Sequence, residues 1–299
     1  MKIIDVISEI PGLNINGNNE EMDIGFKCQI FESNDNISLS NWATNVCQRI
    51  VERNRINPKE IAVIINSSIS IIETTSKNNT SAPGIGYHIQ KYIDADAAFV
   101  FELFHSDWGN IIQVAENFLE HMALPYALVM QTNKFSICEK DFENGFCLPD
   151  GVSVMLLEKS NQKVNLINFP IDISLNKRPQ FEFYNNEESL KNDVYFKVSC
   201  DYDLDSQELI SNSLLDILEE LKGSGLPVLS EHWCYYNNEI DKSNDFQIAN
   251  PNSKKIDLGM HSIPFFLQDN REQYLSNEHG KSFVTYNPFL SYFSVLNLL

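Results

Sequence analysis

Four short apolar runs govern what this chain can fold into. Ile61 to Ile65, Ala97 to Leu103, Tyr126 to Met130 and Val152 to Leu157 each carry at most one strongly polar residue. A half-solvated strand alternates polar and apolar positions, whereas a strand covered on both faces is apolar throughout. Helical patterns lie between these runs. One starts near Ser38 or Ser40, each a plausible N-cap, and sets Trp42, Val46, Ile50 and Val51 on one stripe until about Arg55. Ala82 to Gly86 opens a short helix to Tyr92, and Trp108 to His121 repeats apolar residues at Ile111, Ile112, Ala115, Phe118 and Leu119. Strands covered on both faces, alternating with amphipathic helices, predict an α/β layered fold.

The remaining chain fills in around that frame. Lys2 to Ile7 reads as an opening strand, while the Asn- and Asp-rich stretch 14–36 and the Ser/Thr/Asn-rich stretch 67–80 read as loops. Residues 161–192, polar and punctuated by proline, read as a connection. After it the pattern repeats: a strand over 194–200, a helix over 206–221, strands at 227–229 and 255–258, a helix over 264–274, and closing strands at 282–286 and 292–298. Two stretches with similar element order predict an internally duplicated fold, divided as 1–160, 161–192 and 193–299.

Charge narrows the function classes. Acidic residues number 41 against 22 basic ones, a formal net of -19, which argues against nucleic acid and against anionic membrane surfaces as partners. Hydrophobic content of 43% is that of a globular chain, so the acidity does not signal disorder. Met1 to Val6 is too short and too soon charged for a signal core, and no apolar run reaches the ~18 residues of a spanning helix. The six cysteines, at 28, 47, 138, 147, 200 and 234, form no CxxC pair and read as reduced thiols of a cytoplasmic protein. The six histidines show no metal spacing. Gly84-Ile85-Gly86 is no dinucleotide fingerprint, and Ser106 lacks the G-x-S-x-G elbow of a hydrolase. No cofactor and no metal are expected.

Several segments, taken in order, resemble the ketoacyl synthase III branch of the thiolase superfamily. Ile4 to Pro11 is similar to its opening strand and turn, Asn57 to Ile65 to a following turn and strand, and Pro83 to Lys91 with Ala97 to Gly109 to the path leading to its nucleophile. Pro149-Asp150-Gly151 stands where the family has a Gly-Asp-Gly turn, and Asn192 to Lys197 resembles the start of its second half. Ser262-Ile263-Pro264 resembles the Ser-Val-Pro after its catalytic asparagine. A narrower likeness, to the non-catalytic subunit of heteromeric alkylquinolone synthases, rests on Ala82-Pro83, Ile85-Gly86, Gln90-Lys91, Val100 to Leu103 and Thr285 to Phe289.

The resemblance implies a thiolase-like fold: two βαβαβ halves stacked as five layers, α-β-α-β-α. It places Asp107 at the nucleophilic cysteine, His232 at the family histidine and Asp257 at the asparagine. An aspartate is a poor acceptor for thioester transfer but a good helix N-cap. The segment 12–48, where the family binds the phosphate of its acyl carrier, holds a single cation, Lys27, among carboxylates. That charge disfavours docking of CoA or acyl carrier protein. The resemblance therefore implies a subunit that lacks its own nucleophile and completes a partner with intact Cys, His and Asn. The expected contact residues are Pro83, Ile85, Tyr87, Phe99, Phe101 and Leu103. Two further readings stay open: a self-sufficient acyltransferase or decarboxylase using Asp107 and His232, and a homodimeric module for an apolar ligand.

Overall fold

A computed structural model describes residues 1–11, 38–68, 73–75, 78–80, 84–134, 139–142, 149–185, 194–200, 204–223, 228–230, 259–275 and 280–299. Fourteen strands are found among them. They are β1 (Lys2–Glu9), β2 (Ile61–Ser68), β3 (Glu73–Thr75), β4 (Asn78–Thr80), β5 (Phe99–Phe104), β6 (Tyr126–Asn133) and β7 (Glu139–Phe142). The later ones are β8 (Gly151–Glu158), β9 (Val164–Pro170), β10 (Gln180–Asn185), β11 (Val194–Cys200), β12 (Val228–Ser230), β13 (Lys281–Asn287) and β14 (Tyr292–Leu298). The helices are α1 (Leu39–Asn54), α2 (Ile85–Tyr92), α3 (Trp108–His121), α4 (Leu204–Lys222), α5 (Ser262–Asp269) and α6 (Arg271–Tyr274).

Two larger sheets repeat one pattern. The first runs β1-β8-β6-β2-β5 and the second β12-β13-β14-β9. In the first, β1 is antiparallel to β8, β8 antiparallel to β6, and β6 parallel to β2. In the second, β9 is antiparallel to β14, β14 antiparallel to β13, and β13 parallel to β12. Matching order and direction make the two halves structural duplicates. A three-stranded sheet, β10-β11-β7, and the hairpin β3-β4 complete the pairing among the described residues.

The apolar runs behave as their composition requires. Successive residues of a strand point to opposite faces. Val63 and Ile65, Ala127 and Val129, Met155 and Leu157 therefore pack on α3, while Ile64, Leu128, Met130, Val154 and Leu156 pack on α1 and α2. The other side of α3 meets Phe283, Leu296 and Leu298 of the second sheet. The layers thus run α1 and α2, first sheet, α3, second sheet. α4 buries Ile210, Leu214, Ile217 and Leu218 along one stripe, as an outer helix does.

Four local differences from the sequence reading have physical causes. Residues 161–192 carry β9 and β10, and β9 is the outer strand of the second sheet. Its half-solvated pattern hides in a polar, proline-ended sequence. β5 is an edge strand with partly exposed side chains; its apolar sequence alone does not distinguish it from a central strand. The stretch 67–80 contains the end of β2 and the hairpin of β3 and β4. The helix over 264–274 is two helices, broken at Asn270. The 255–258 strand lies outside the described residues.

Candidate functional site

The turn from β5 into α3 is where the two halves meet. His105 adopts a left-handed conformation there (φ 53°), and the chain then enters α3 with Asp107 as N-cap. The turn is gripped from several strands. The Ser106 carbonyl accepts from Ser67 Oγ at 3.1 Å and from Gln131 Nε2 at 2.7 Å. The His105 carbonyl accepts from Asn287 Nδ2 of β13. Trp108, fully buried, donates Nε1 to the Met260 carbonyl at 2.6 Å. That bond brings the turn before α5, two residues past Asp257 at its start, against the beginning of α3.

Asp107 is saturated with donors. Its Oδ1 accepts the Asn110 backbone N–H at 3.0 Å and Ser294 Oγ at 2.6 Å. Its Oδ2 accepts Asn110 Nδ2 at 2.7 Å and Tyr292 OH at 2.6 Å. Two of these donors come from β14, so the carboxylate joins the halves as well as capping the helix. The first turn of α3 approaches β14 closely enough that a Cβ on Gly109 would lie 2.6 Å from Ser294 Oγ. Burial and the adjacent Asp107 charge push the Tyr292 hydroxyl far above the usual tyrosine range, which keeps it a donor. Each Asp107 oxygen thus takes two hydrogen bonds, close to what a carboxylate oxygen accepts in full. An oxygen so occupied is a weak nucleophile. The arrangement is suited to holding a helix, not to attacking a thioester.

A second feature lies along β5. Phe99 and Phe104 are 52% and 48% exposed, and Tyr87 of α2 is 51% exposed. Phe99 and Phe101 lean on Phe118 of α3, with ring centroids 5.5 and 4.9 Å apart. Ile85 is buried, and Leu103 is half-buried against the central core. Glu102 fixes α2 to this edge: its carboxylate accepts Gly86 N–H at 2.5 Å and Asn66 Nδ2 at 2.8 Å. Burial pushes the Glu102 carboxyl above the usual range despite both bonds. Gly84 and Gly86 permit this approach, since a Cβ on either would lie within 3.0 Å of Glu102.

Of the residues singled out in the sequence, Asp107, Ile85, Tyr87, Phe99, Phe101 and Leu103 fall in these two features. Pro83, His232 and Asp257 lie outside the described residues. Local reading had no access to Tyr292, Ser294 and Asn287. They reach Asp107 and His105 from about 180 residues away, and no spacing rule links them. Among the described residues no group of His, Cys, Asp and Glu side chains could hold a metal ion, and no helix is long and apolar enough to cross a membrane.

Layering and sheet order together define a thiolase fold, the fold also found in ketoacyl synthase III enzymes. Over the whole chain the protein is similar to 3-oxoacyl-[acyl-carrier-protein] synthase III from Aquifex aeolicus, covering 99% of that enzyme with a TM-score of 0.60 at 14% identity. It is also similar in fold to the priming β-ketosynthase of a polyketide biosynthetic pathway, covering 95% of that chain with a TM-score of 0.68 at 12% identity. In sequence it is similar to PqsB, a subunit of the 2-heptyl-4(1H)-quinolone synthase of Pseudomonas aeruginosa, at 29% identity over 101 residues. That match spans 34% of this chain and 36% of the length of PqsB. No family model matches the chain.

Proposed function

We propose that this chain is a non-catalytic subunit of a heteromeric ketosynthase III-like condensing enzyme, which makes a fatty-acyl-derived, quinolone-type metabolite in the cytoplasm. The observation that carries the reading is Asp107. Asp107, which the sequence resemblance sets at the family's cysteine, spends both carboxylate oxygens on Asn110, Tyr292 and Ser294. A second subunit with intact Cys, His and Asn then supplies the chemistry, and β5 with α2 supplies the contact. An edge strand bearing exposed aromatics is a template for pairing with another chain. The likeness to PqsB, itself a synthase subunit, supports the same assembly.

Co-expression with a neighbouring ketosynthase III-like gene tests this directly, and a stable 1:1 or 2:2 complex is the expected product. Within that complex Asp107→Asn, which keeps an N-capping oxygen, should leave the turnover rate within about tenfold, or roughly 1.4 kcal/mol of barrier. A lone chain that turns over acyl thioester and loses that activity in Asp107→Asn would establish the self-sufficient enzyme instead. A homodimer that binds only an apolar ligand would establish a binding module.

The interface makes its own prediction. Phe99→Glu with Phe104→Glu should weaken the complex by at least about thirtyfold, the scale of an aromatic hot spot. Both side chains are half exposed, so the isolated subunit should melt close to wild type. Analytical ultracentrifugation of the mixed subunits reads the first effect and thermal unfolding the second. An undiminished complex would place the contact elsewhere.

A further inference from the structure

At the far end of β14 from Asp107, a cavity of about 270 Å³ lies between the start of β1 and the paired ends of β13 and β14. Along β14 it is six residues from Tyr292, roughly 20 Å at ~3.3 Å per residue, so it is separate from the site above. Its described lining has three parts: the cations Lys2 and Lys281, the polar Ser160 and Gln162, and the apolar Ile3, Leu275 and Leu298. No carboxylate is among those lining residues, in a chain that carries 41 acidic residues. Glu158 stands opposite Lys2 in the β1–β8 ladder but does not line the cavity.

Lys281 is only 8% exposed. Its ammonium donates to the Tyr274 carbonyl, and among the described residues no acidic group lies within ion-pair distance. A buried ammonium with one carbonyl acceptor has two N–H donors left over, and an uncompensated buried charge is costly. Burial, and then the charge of Lys2, lowers its pKa to about 8. Two cations across one small cavity, with an apolar wall beside them, make a site whose chemistry calls for an anion with a short apolar tail.

We propose that this cavity binds a short-chain carboxylate, its oxygens between Lys281 and Lys2 and its tail on Ile3, Leu275 and Leu298. The ligand would touch β1 of the first sheet and β13 and β14 of the second, and so would stabilise the halves against each other.

Hexanoate is the probe, followed by calorimetry and by thermal unfolding of the full chain. Binding in the millimolar range, with a rise in Tm, is expected. Lys281→Met should weaken it by about tenfold or more, the scale of a lost charged hydrogen bond. It should itself melt no lower than wild type, because it removes an unpaired buried charge and keeps the stem. Lys2→Gln, at an exposed position, should weaken binding severalfold. Hexylamine should not bind, and inorganic phosphate should bind more weakly than hexanoate. The proposal is overturned if hexanoate does not bind, if it binds both lysine variants like wild type, or if hexylamine or phosphate binds as tightly.

Discussion

Asp5→Ala should cost about 3 kcal/mol of stability and lower Tm by on the order of 10 °C. The carboxylate is fully buried in β1, beside a bulge where the β1–β8 register shifts between Ile3 and Asp5. Arg53 of α1 binds it with two nitrogens, Nε to Oδ2 at 2.8 Å and Nη2 to Oδ1 at 2.6 Å. Asn54 Nδ2 adds a bond at 2.6 Å and the Val6 backbone N–H another at 2.8 Å. Arg271 of α6 approaches Oδ1 at 3.3 Å from the second half. Breaking a buried pair costs about 3–5 kcal/mol, and the low end applies because both arginines are about 40% exposed and can rehydrate. Arg271→Met should cost less than about 1 kcal/mol, since its contact is longer and half in water. Urea unfolding of the two variants decides between this ranking and an even division of the cluster.

Acidification should weaken the fold through His261, by about 2 kcal/mol between pH 7 and pH 5. Its ring is fully buried, with Nδ1 2.7 Å from Ser153 Oγ, which in turn bonds Ser8 Oγ at 2.7 Å. Nε2 has no hydrogen-bond partner, and it faces Gly151 so closely that a Cβ there would lie 2.7 Å away. Burial pushes the imidazole down from 6.5 to about 3, with the Asp150 charge opposing. The folded state therefore rejects a proton that the unfolded chain accepts below pH 6.5. Stability from this group is complete above pH 6.5 and is lost as the pH falls towards 3, about 5 kcal/mol in all at ~1.4 kcal/mol per unit. His261→Gln removes the titrating group, so its stability should fall less steeply than wild type over pH 7 to 5. Parallel pH profiles would assign acid sensitivity to other groups.

The central sheet and its buried helix were legible in the sequence because burial on both sides leaves no polar position to confuse the pattern. Val63, Ile65, Val129 and Met155 are apolar for that reason alone. β9 was illegible for the opposite reason. Its alternate positions face solvent, and Pro170 ends it, so Val164 to Pro170 reads like linker. Asp107 could be placed as a helix cap, because a cap is a local device answered three residues later by Asn110. Its role in joining the halves was hidden, since Tyr292 and Ser294 meet it only once β14 has paired with β13 and β9. Exposure at Phe99 and Phe104 was equally hidden: apolar residues look the same in a run whether a neighbouring strand or a partner covers them.

The four donors around Asp107 also bear on how such a position can change. A thiol there would offer one weakly accepting sulfur where two oxygens now take four hydrogen bonds. Tyr292 OH, Ser294 Oγ and the Asn110 side-chain amide would lose the Asp107 acceptor together, keeping the Asn110 Nδ2–Tyr292 OH bond at 2.9 Å and the Ser294–Thr285 hydroxyl bond at 2.6 Å. A single Asp107→Cys substitution therefore leads downhill in stability, and accommodating a thiol there requires concerted changes on α3 and β14. The network works as a lock: once assembled, it makes placing a thiol at position 107 a multi-step path across two distant stretches of chain.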